Sequence, residues 1–135
     1  MIEYQKILDK NMLNVFKDIL KNIKDNGLSN NNHLYITFLT NHKNVELPNW
    51  LKQKYPQEMT IIIQYEYYDL EINKNNFSIT LSFGDIKTNL KINYNAIVSF
   101  ADPSANFGLI LQKNNIQKKI NKKFENNKSK KDNVI

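Results

Sequence analysis

The segment that decides the fold is EMTIIIQYEYYDLEINKNNFSITLSFGDI, residues Glu58 to Ile86. β-Branched and aromatic residues fill both ends, and turn-forming residues separate them at Asn73 to Asn76. This pattern predicts two long strands joined as a hairpin. The isoleucines at 61–63 predict that the first strand is central and covered on both faces. Gln64 follows them, and Ser82-Phe83-Gly84 ends the second strand, which suggests a place where another molecule approaches.

The rest of the chain supplies one long helix and several short strands. Large apolar residues between Tyr4 and Ile23 recur every three or four positions, which predicts an amphipathic helix that ends at Asn26-Gly27. A short helix is predicted between Pro48 and Pro56. About five or six antiparallel strands behind one helix predict a mainly β fold, a small and partly open barrel. The apolar face of the long helix suits core packing, and it is long enough to contact a second subunit as well.

Length and composition restrict the classes of protein. The chain has 135 residues, which is the size of one domain that buries its own core. It contains no cysteine, which excludes disulfides, thiolate metal sites and thiol catalysis. No apolar run approaches the ~20 residues of a membrane span, and the amino-terminal MIEYQKILDK lacks the order of a secretory signal. The predicted location is the cytoplasm.

The net charge of +6 lies entirely near the end of the chain. Residues 1–112 carry 11 lysines and 11 acidic residues, whereas residues 113–135 carry 8 lysines and 2 acidic residues. A lysine-rich, asparagine-rich segment buries too little surface to offset the entropy of ordering, so we predict a disordered tail at 113–135 and a folded domain at 1–112. The chain lacks arginine, which disfavours specific nucleic-acid recognition.

Candidate groups for catalysis or metal binding are few. His33 and His42 lie in predicted loops and match no metal-ligand or catalytic spacing. Asp69 and Glu71 share one face of a predicted strand, a pair that acid–base chemistry can use, although such pairs are more often solvated. The sequence therefore predicts a protein that is not an enzyme and that has no metal and no cofactor.

Several phrases of the sequence resemble a known family. They are KYPQEMTIIIQYEYYDL at 54–70, LSFG at 81–84 and FADPSANFGLIL at 100–111, in this order and at this spacing. With them, residues 2–112 resemble the α-proteobacterial branch of SspB, the specificity-enhancing adaptor of the ClpXP protease. The resemblance implies a homodimeric, non-enzymatic adaptor with a half-open, Sm-like β-barrel. Such adaptors hold the ssrA degradation tag, a short peptide added to products of stalled translation, in a surface groove.

The resemblance also implies roles for individual residues of the folded domain. Gln64 would hydrogen-bond backbone or side-chain amides of the tag. The implied groove wall consists of three successive residues, Ser82, Phe83 and Gly84. Tyr65 and Tyr67 are further candidates for contact with the peptide.

A second implied role belongs to the tail. In the family, a flexible tail with a short apolar and basic end docks on the amino-terminal domain of ClpX. The matching residues here are Lys130, Lys131, Val134 and Ile135. The alternative docking segment is the stripe of Ile116, Ile120 and Phe124, which are spaced every four residues.

Binding of single-stranded RNA is the alternative function, because Sm-like barrels often bind such RNA. Tyr65, Tyr67 and Tyr68 provide aromatic surfaces on which bases can stack. Such a function predicts positive charge on the folded domain, whereas residues 1–112 are electrically balanced. The charge distribution therefore favours the peptide-binding interpretation.

Overall fold

The computed structural model describes residues 1–29 and 31–111. The predicted tail and its docking residues, Lys130, Lys131, Val134 and Ile135, lie outside the described residues. Helix α1 spans Tyr4–Asn26 and helix α2 spans Asn49–Lys54. The described strands are β1 (Leu34–Leu39), β2 (Val45–Glu46), β3 (Glu58–Ile63), β4 (Tyr68–Ile72), β5 (Asn76–Phe83), β6 (Ile86–Asn93), β7 (Ile97–Asp102) and β8 (Phe107–Ile110). Short 3₁₀ turns occupy Tyr94–Ala96 and Pro103–Ala105.

The strands form two antiparallel sheets of four strands each. Their orders are β3-β1-β7-β8 and β2-β6-β5-β4. The predicted class, mainly β with an amino-terminal helix, is confirmed, and the sheets do not close, as expected of a half-open barrel. The described residues contain eight strands rather than about five or six, because the two-residue β2 was not anticipated and because one predicted strand is two.

The prediction that the first arm of the hairpin is one long strand is wrong. β3 ends at Ile63 in one sheet and β4 begins at Tyr68 in the other, so residues 64–67 cross between the sheets. The start of β4 is bent by a register shift between Tyr68 and Glu71 and by the left-handed backbone of Asp69, whose φ is 53°. The hairpin between β4 and β5, with its turn after Ile72, is confirmed.

The expectation that β3 is central and covered on both faces is also wrong. β3 lies at the end of its sheet, and its side chains alternate: Ile61 and Ile63 are buried, whereas Ile62 is 47% exposed. The core lies on one face of the sheet only. An isoleucine run does not reveal this, because β-branched side chains favour strands whether or not both faces are covered.

Helix α1 packs across both sheets through Phe16. The Phe16 side chain is fully buried, and its ring meets Phe77 of β5 at 5.8 Å and Phe100 of β7 at 5.9 Å between ring centroids, both edge to face. Leu20 and Ile23 continue the same buried stripe. Because Phe77 and Phe100 belong to different sheets, one helical side chain joins the two halves of the core.

Polar contacts attach the β4–β5 hairpin to the rest of the molecule. The Tyr94 hydroxyl donates a hydrogen bond of 2.8 Å to the carbonyl oxygen of Asn73, and burial raises the pKa of the Tyr94 phenol. The Nζ atom of Lys17 lies 4.6 Å from the centre of the Tyr94 ring. Lys24 of α1 forms an ion pair with Glu71 of β4 at 3.2 Å. These contacts connect both the turn of the hairpin and its strand β4 to α1.

Part of the apolar surface of α1 remains uncovered. Its residues, which we call the exposed α1 stripe, are Tyr4, Ile7, Leu8 and Val15, and each is at least 42% exposed. Their three-and-four spacing places them on one face, next to the buried stripe. The residues described include no helix that is both long and apolar enough to cross a membrane.

Candidate functional site

A groove of about 400 Å³ lies between the two sheets. One side is formed by β3 and the residues after it, and the other side is formed by the last residues of β5. The lining residues are Tyr55, Met59, Thr60, Ile61, Ile62, Gln64, Tyr65, Glu66, Leu81, Ser82 and Phe83. The groove thus combines apolar side chains with a polar end near Gln64.

Both sides of this groove are strand edges without a strand neighbour among the described residues. β3 is the terminal strand of its sheet. On the opposite side, β4 covers β5 only as far as Thr80, which pairs with Tyr68, so Leu81 to Phe83 extend beyond β4. Backbone N–H and C=O groups at such edges are available to pair with another extended chain. The groove therefore offers main-chain partners on two sides.

The structure brings four of the six predicted peptide-binding residues together. Those that line the groove are Gln64, Tyr65, Ser82 and Phe83. Tyr67 does not line it and packs, partly buried, against the core. Gly84 lies just beyond the groove in the two-residue turn between Phe83 and Ile86, where its φ of 64° requires a residue that tolerates the left-handed region. The turn therefore explains why position 84 is a glycine.

Sequence reasoning missed several lining residues. The prediction that the first strand is central leaves out Thr60 and Ile62, whereas the position of β3 at the edge of its sheet makes both residues accessible. Tyr55 comes from the end of α2, where its carbonyl accepts a hydrogen bond from the Thr40 hydroxyl. Trp50 of α2 meets the ring of Phe83 edge to face at 6.2 Å and holds it at the groove.

The other candidate chemical groups do not assemble into a site. Glu71 is paired with Lys24, while Asp69 is exposed in the bend that begins β4. His33 Nδ1 lies 3.3 Å from the carbonyl of Asn31, and His42 Nδ1 accepts from the backbone N–H of Asn44. Within residues 1–29 and 31–111, no three His, Cys, Asp or Glu side chains lie close enough to hold a metal ion.

No curated protein matches this sequence. The family model described as SspB, Stringent starvation protein B, matches residues 6–134, which is nearly the whole chain and includes the segment after β8. With a match of this extent, the chain belongs to the SspB family.

Proposed function

We propose that this protein is a cytoplasmic, non-enzymatic adaptor that binds the ssrA degradation tag of substrates and tethers them to the ClpXP protease. Membership of the SspB family supports an adaptor role. The observation that carries the proposal is the groove between two unpaired strand edges, with Gln64 at its polar end. A degradation tag is an unstructured peptide, and a site of this form suits an extended chain.

The mode of binding follows from the groove's walls. A peptide strand laid along β3 would pair its main chain with a free edge and place alternate side chains toward the groove. From Met59 to Gln64 the groove extends by roughly 17 Å at ~3.3 Å per residue, room for about five or six peptide residues. Within the groove, Phe83 and Tyr55 offer apolar contacts to the peptide. The Gln64 amide, at the polar end, offers a hydrogen-bond donor and an acceptor.

The segment after the folded domain completes the proposed mechanism. Residues 113–135 hold the excess of positive charge, and the proposed dock on ClpX is Lys130, Lys131, Val134 and Ile135. A tether of this length raises the local concentration of captured substrate at the protease, to roughly millimolar for a short flexible link. Weak binding of these tail residues to ClpX is therefore sufficient for delivery.

We expect that tag binding and delivery can be separated experimentally. A fluorescent ssrA peptide should bind the full chain, and Gln64→Ala should weaken binding about tenfold, because one polar contact in the groove is lost. Gln57→Ala is the matched control, since Gln57 is exposed and outside the groove. A chain ending at Gln112 should bind the peptide normally and fail to accelerate degradation by ClpXP.

Fluorescence anisotropy measures the binding, and loss of a tagged substrate over time measures the delivery. The proposal is wrong if the full chain does not bind the tag peptide, or if Gln57→Ala weakens binding as much as Gln64→Ala does. Single-stranded RNA is included as a second ligand. Binding of RNA that depends on residues 1–112 would favour the alternative of an RNA-binding barrel.

The proposed adaptor is a homodimer that associates through the exposed α1 stripe. Four large apolar side chains on one helical face are unusual on the surface of a monomer. At its Val15 end the stripe meets an apolar cavity of about 520 Å³, which Val15 and the 42% exposed Phe107 both line. Two copies packed helix to helix would cover both stripes by the same symmetric contact.

The dimer predicts a solution mass of twice 15.9 kDa. Leu8→Asp places a charge at the centre of the stripe and should shift the mass to that of one chain, because an unpaired carboxylate is costly to bury. Sedimentation velocity measures the change. Lys10→Asp is the control, since Lys10 is exposed and outside the stripe. A wild-type protein that sediments as a single chain, or a Leu8→Asp variant that remains dimeric, would contradict the assignment.

A further inference from the structure

Within the part of the chain that the structure describes, one charged side chain lines the groove, at its polar end. Of the eleven lining residues, ten are uncharged and one, Glu66, carries a carboxylate. Glu66 is exposed, and among the described residues its carboxylate has no hydrogen bond and no ion pair. Gln64 and Glu66 line the same groove, two positions apart in the chain, so we expect a peptide residue at the Gln64 amide to face this carboxylate as well.

None of the described lysines lines the groove. Lys87 lies on β6 opposite Ser82, and its Nζ atom is 4.3 Å from the centre of the Tyr68 ring. Lys54 precedes the lining residue Tyr55, and its Nζ atom is 5.7 Å from the centre of the Tyr55 ring. Among the described residues, the lining therefore has negative charge at the end near Gln64 and no positive charge along its length.

We propose that Glu66 determines specificity within the tag-binding groove: it favours an amide or ammonium group on the adjacent peptide residue and rejects a carboxylate. This inference rests on the proposed function. An amide N–H or an ammonium group donates to the Glu66 carboxylate, whereas a peptide carboxylate can only repel it. Because Glu66 is solvated, the discrimination is modest, about fivefold at low salt for charges roughly 4 Å apart. It decreases as salt screens the two charges.

An isosteric peptide scan tests this inference on the full chain. Each residue of the fluorescent ssrA peptide is replaced in turn by Asn and by Asp, which differ in charge and hardly in shape. Wild-type protein should bind the Asp peptide about fivefold more weakly than the Asn peptide at one or two neighbouring positions, and about equally at the others. Glu66→Gln should remove this difference, and Glu66→Lys should reverse it, in favour of the Asp peptide.

The outcomes separate this inference from the function on which it rests. If the parent peptide does not bind the wild type, both are overturned. If it binds and Gln64→Ala weakens it, but the Asn and Asp peptides bind alike at every position, the adaptor function stands and the role of Glu66 is wrong. A position-specific difference that persists in Glu66→Gln also overturns the role, because another group would then be its source. Circular dichroism of the Glu66 variants confirms that the fold is retained.

Discussion

Phe16→Ala will lower the free energy of unfolding by about 3–5 kcal/mol, the usual cost of replacing a buried phenylalanine by alanine. The side chain is fully buried and meets rings from both sheets, Phe77 and Phe100, together with Tyr94 at 6.4 Å. Its removal leaves a cavity at the junction of the two sheets, where neither sheet can move inward without separating from the other. Urea denaturation followed by circular dichroism measures the change.

Phe107→Ala is the matched control for this variant. Phe107 is 42% exposed and meets one ring, that of Phe100 at 6.2 Å. Its loss should cost about 1 kcal/mol, because less apolar area returns to water and no closed cavity forms. If the two variants are destabilised equally, Phe16 is not the centre of the core, and the packing of α1 across both sheets is wrong.

We expect Ser82→Trp to weaken the proposed tag binding strongly while it leaves the fold intact. Ser82 lies on β5 with its side chain at the groove, opposite β3. An indole ring at this position occupies the space that the peptide needs, so affinity should fall at least about 30-fold, the loss typical of a binding hot spot. Ser82 is half-buried and lies on the face of β5 opposite the buried Ile79 and Leu81, so the substitution does not crowd the core. Anisotropy with the fluorescent ssrA peptide measures the affinity, and thermal denaturation measures the stability.

Ser78→Trp provides the comparison on the same strand. Ser78 is four residues earlier and therefore on the same face of β5, but it pairs with Glu71 and Lys91 and lies outside the groove. This variant should bind the peptide as the wild type does. Equal affinity of Ser82→Trp and wild type would exclude this groove as the tag-binding site, and equal losses in both variants would indicate a general effect on the sheet.

Local patterns in the sequence were sufficient for the elements with strong periodicity or turn signals. The spacing of apolar residues predicted α1, and Gly27, whose φ is 73°, ends the helix where the left-handed residue was expected. Turn residues between Ile72 and Phe77 predicted the β4–β5 hairpin. These features depend on neighbours in sequence. The division of the first predicted strand between two sheets depends on tertiary packing, which local propensity does not encode.

The candidate site was partly predictable for a related reason. Gln64 and Ser82 were predicted through the resemblance to a family, and the structure places both at the groove. Thr60 and Ile62 could not be recognised, because their exposure follows from the position of β3 at the end of its sheet. The sequence alone predicted no role for Glu66. Only the arrangement of the lining shows that its charge is alone there among the described residues.

The free edge of β3 affects how readily the protein associates with itself, both in the purified state and in the cell. Proteins usually protect an exposed strand edge from intermolecular β-sheet growth with proline or charged residues. Residues 59–63, MTIII, contain neither. If β3 binds a peptide as proposed, the same edge can also pair with β3 of a second molecule. Under the proposed function, a bound peptide covers this edge, so the protein without a peptide is the form most prone to self-association.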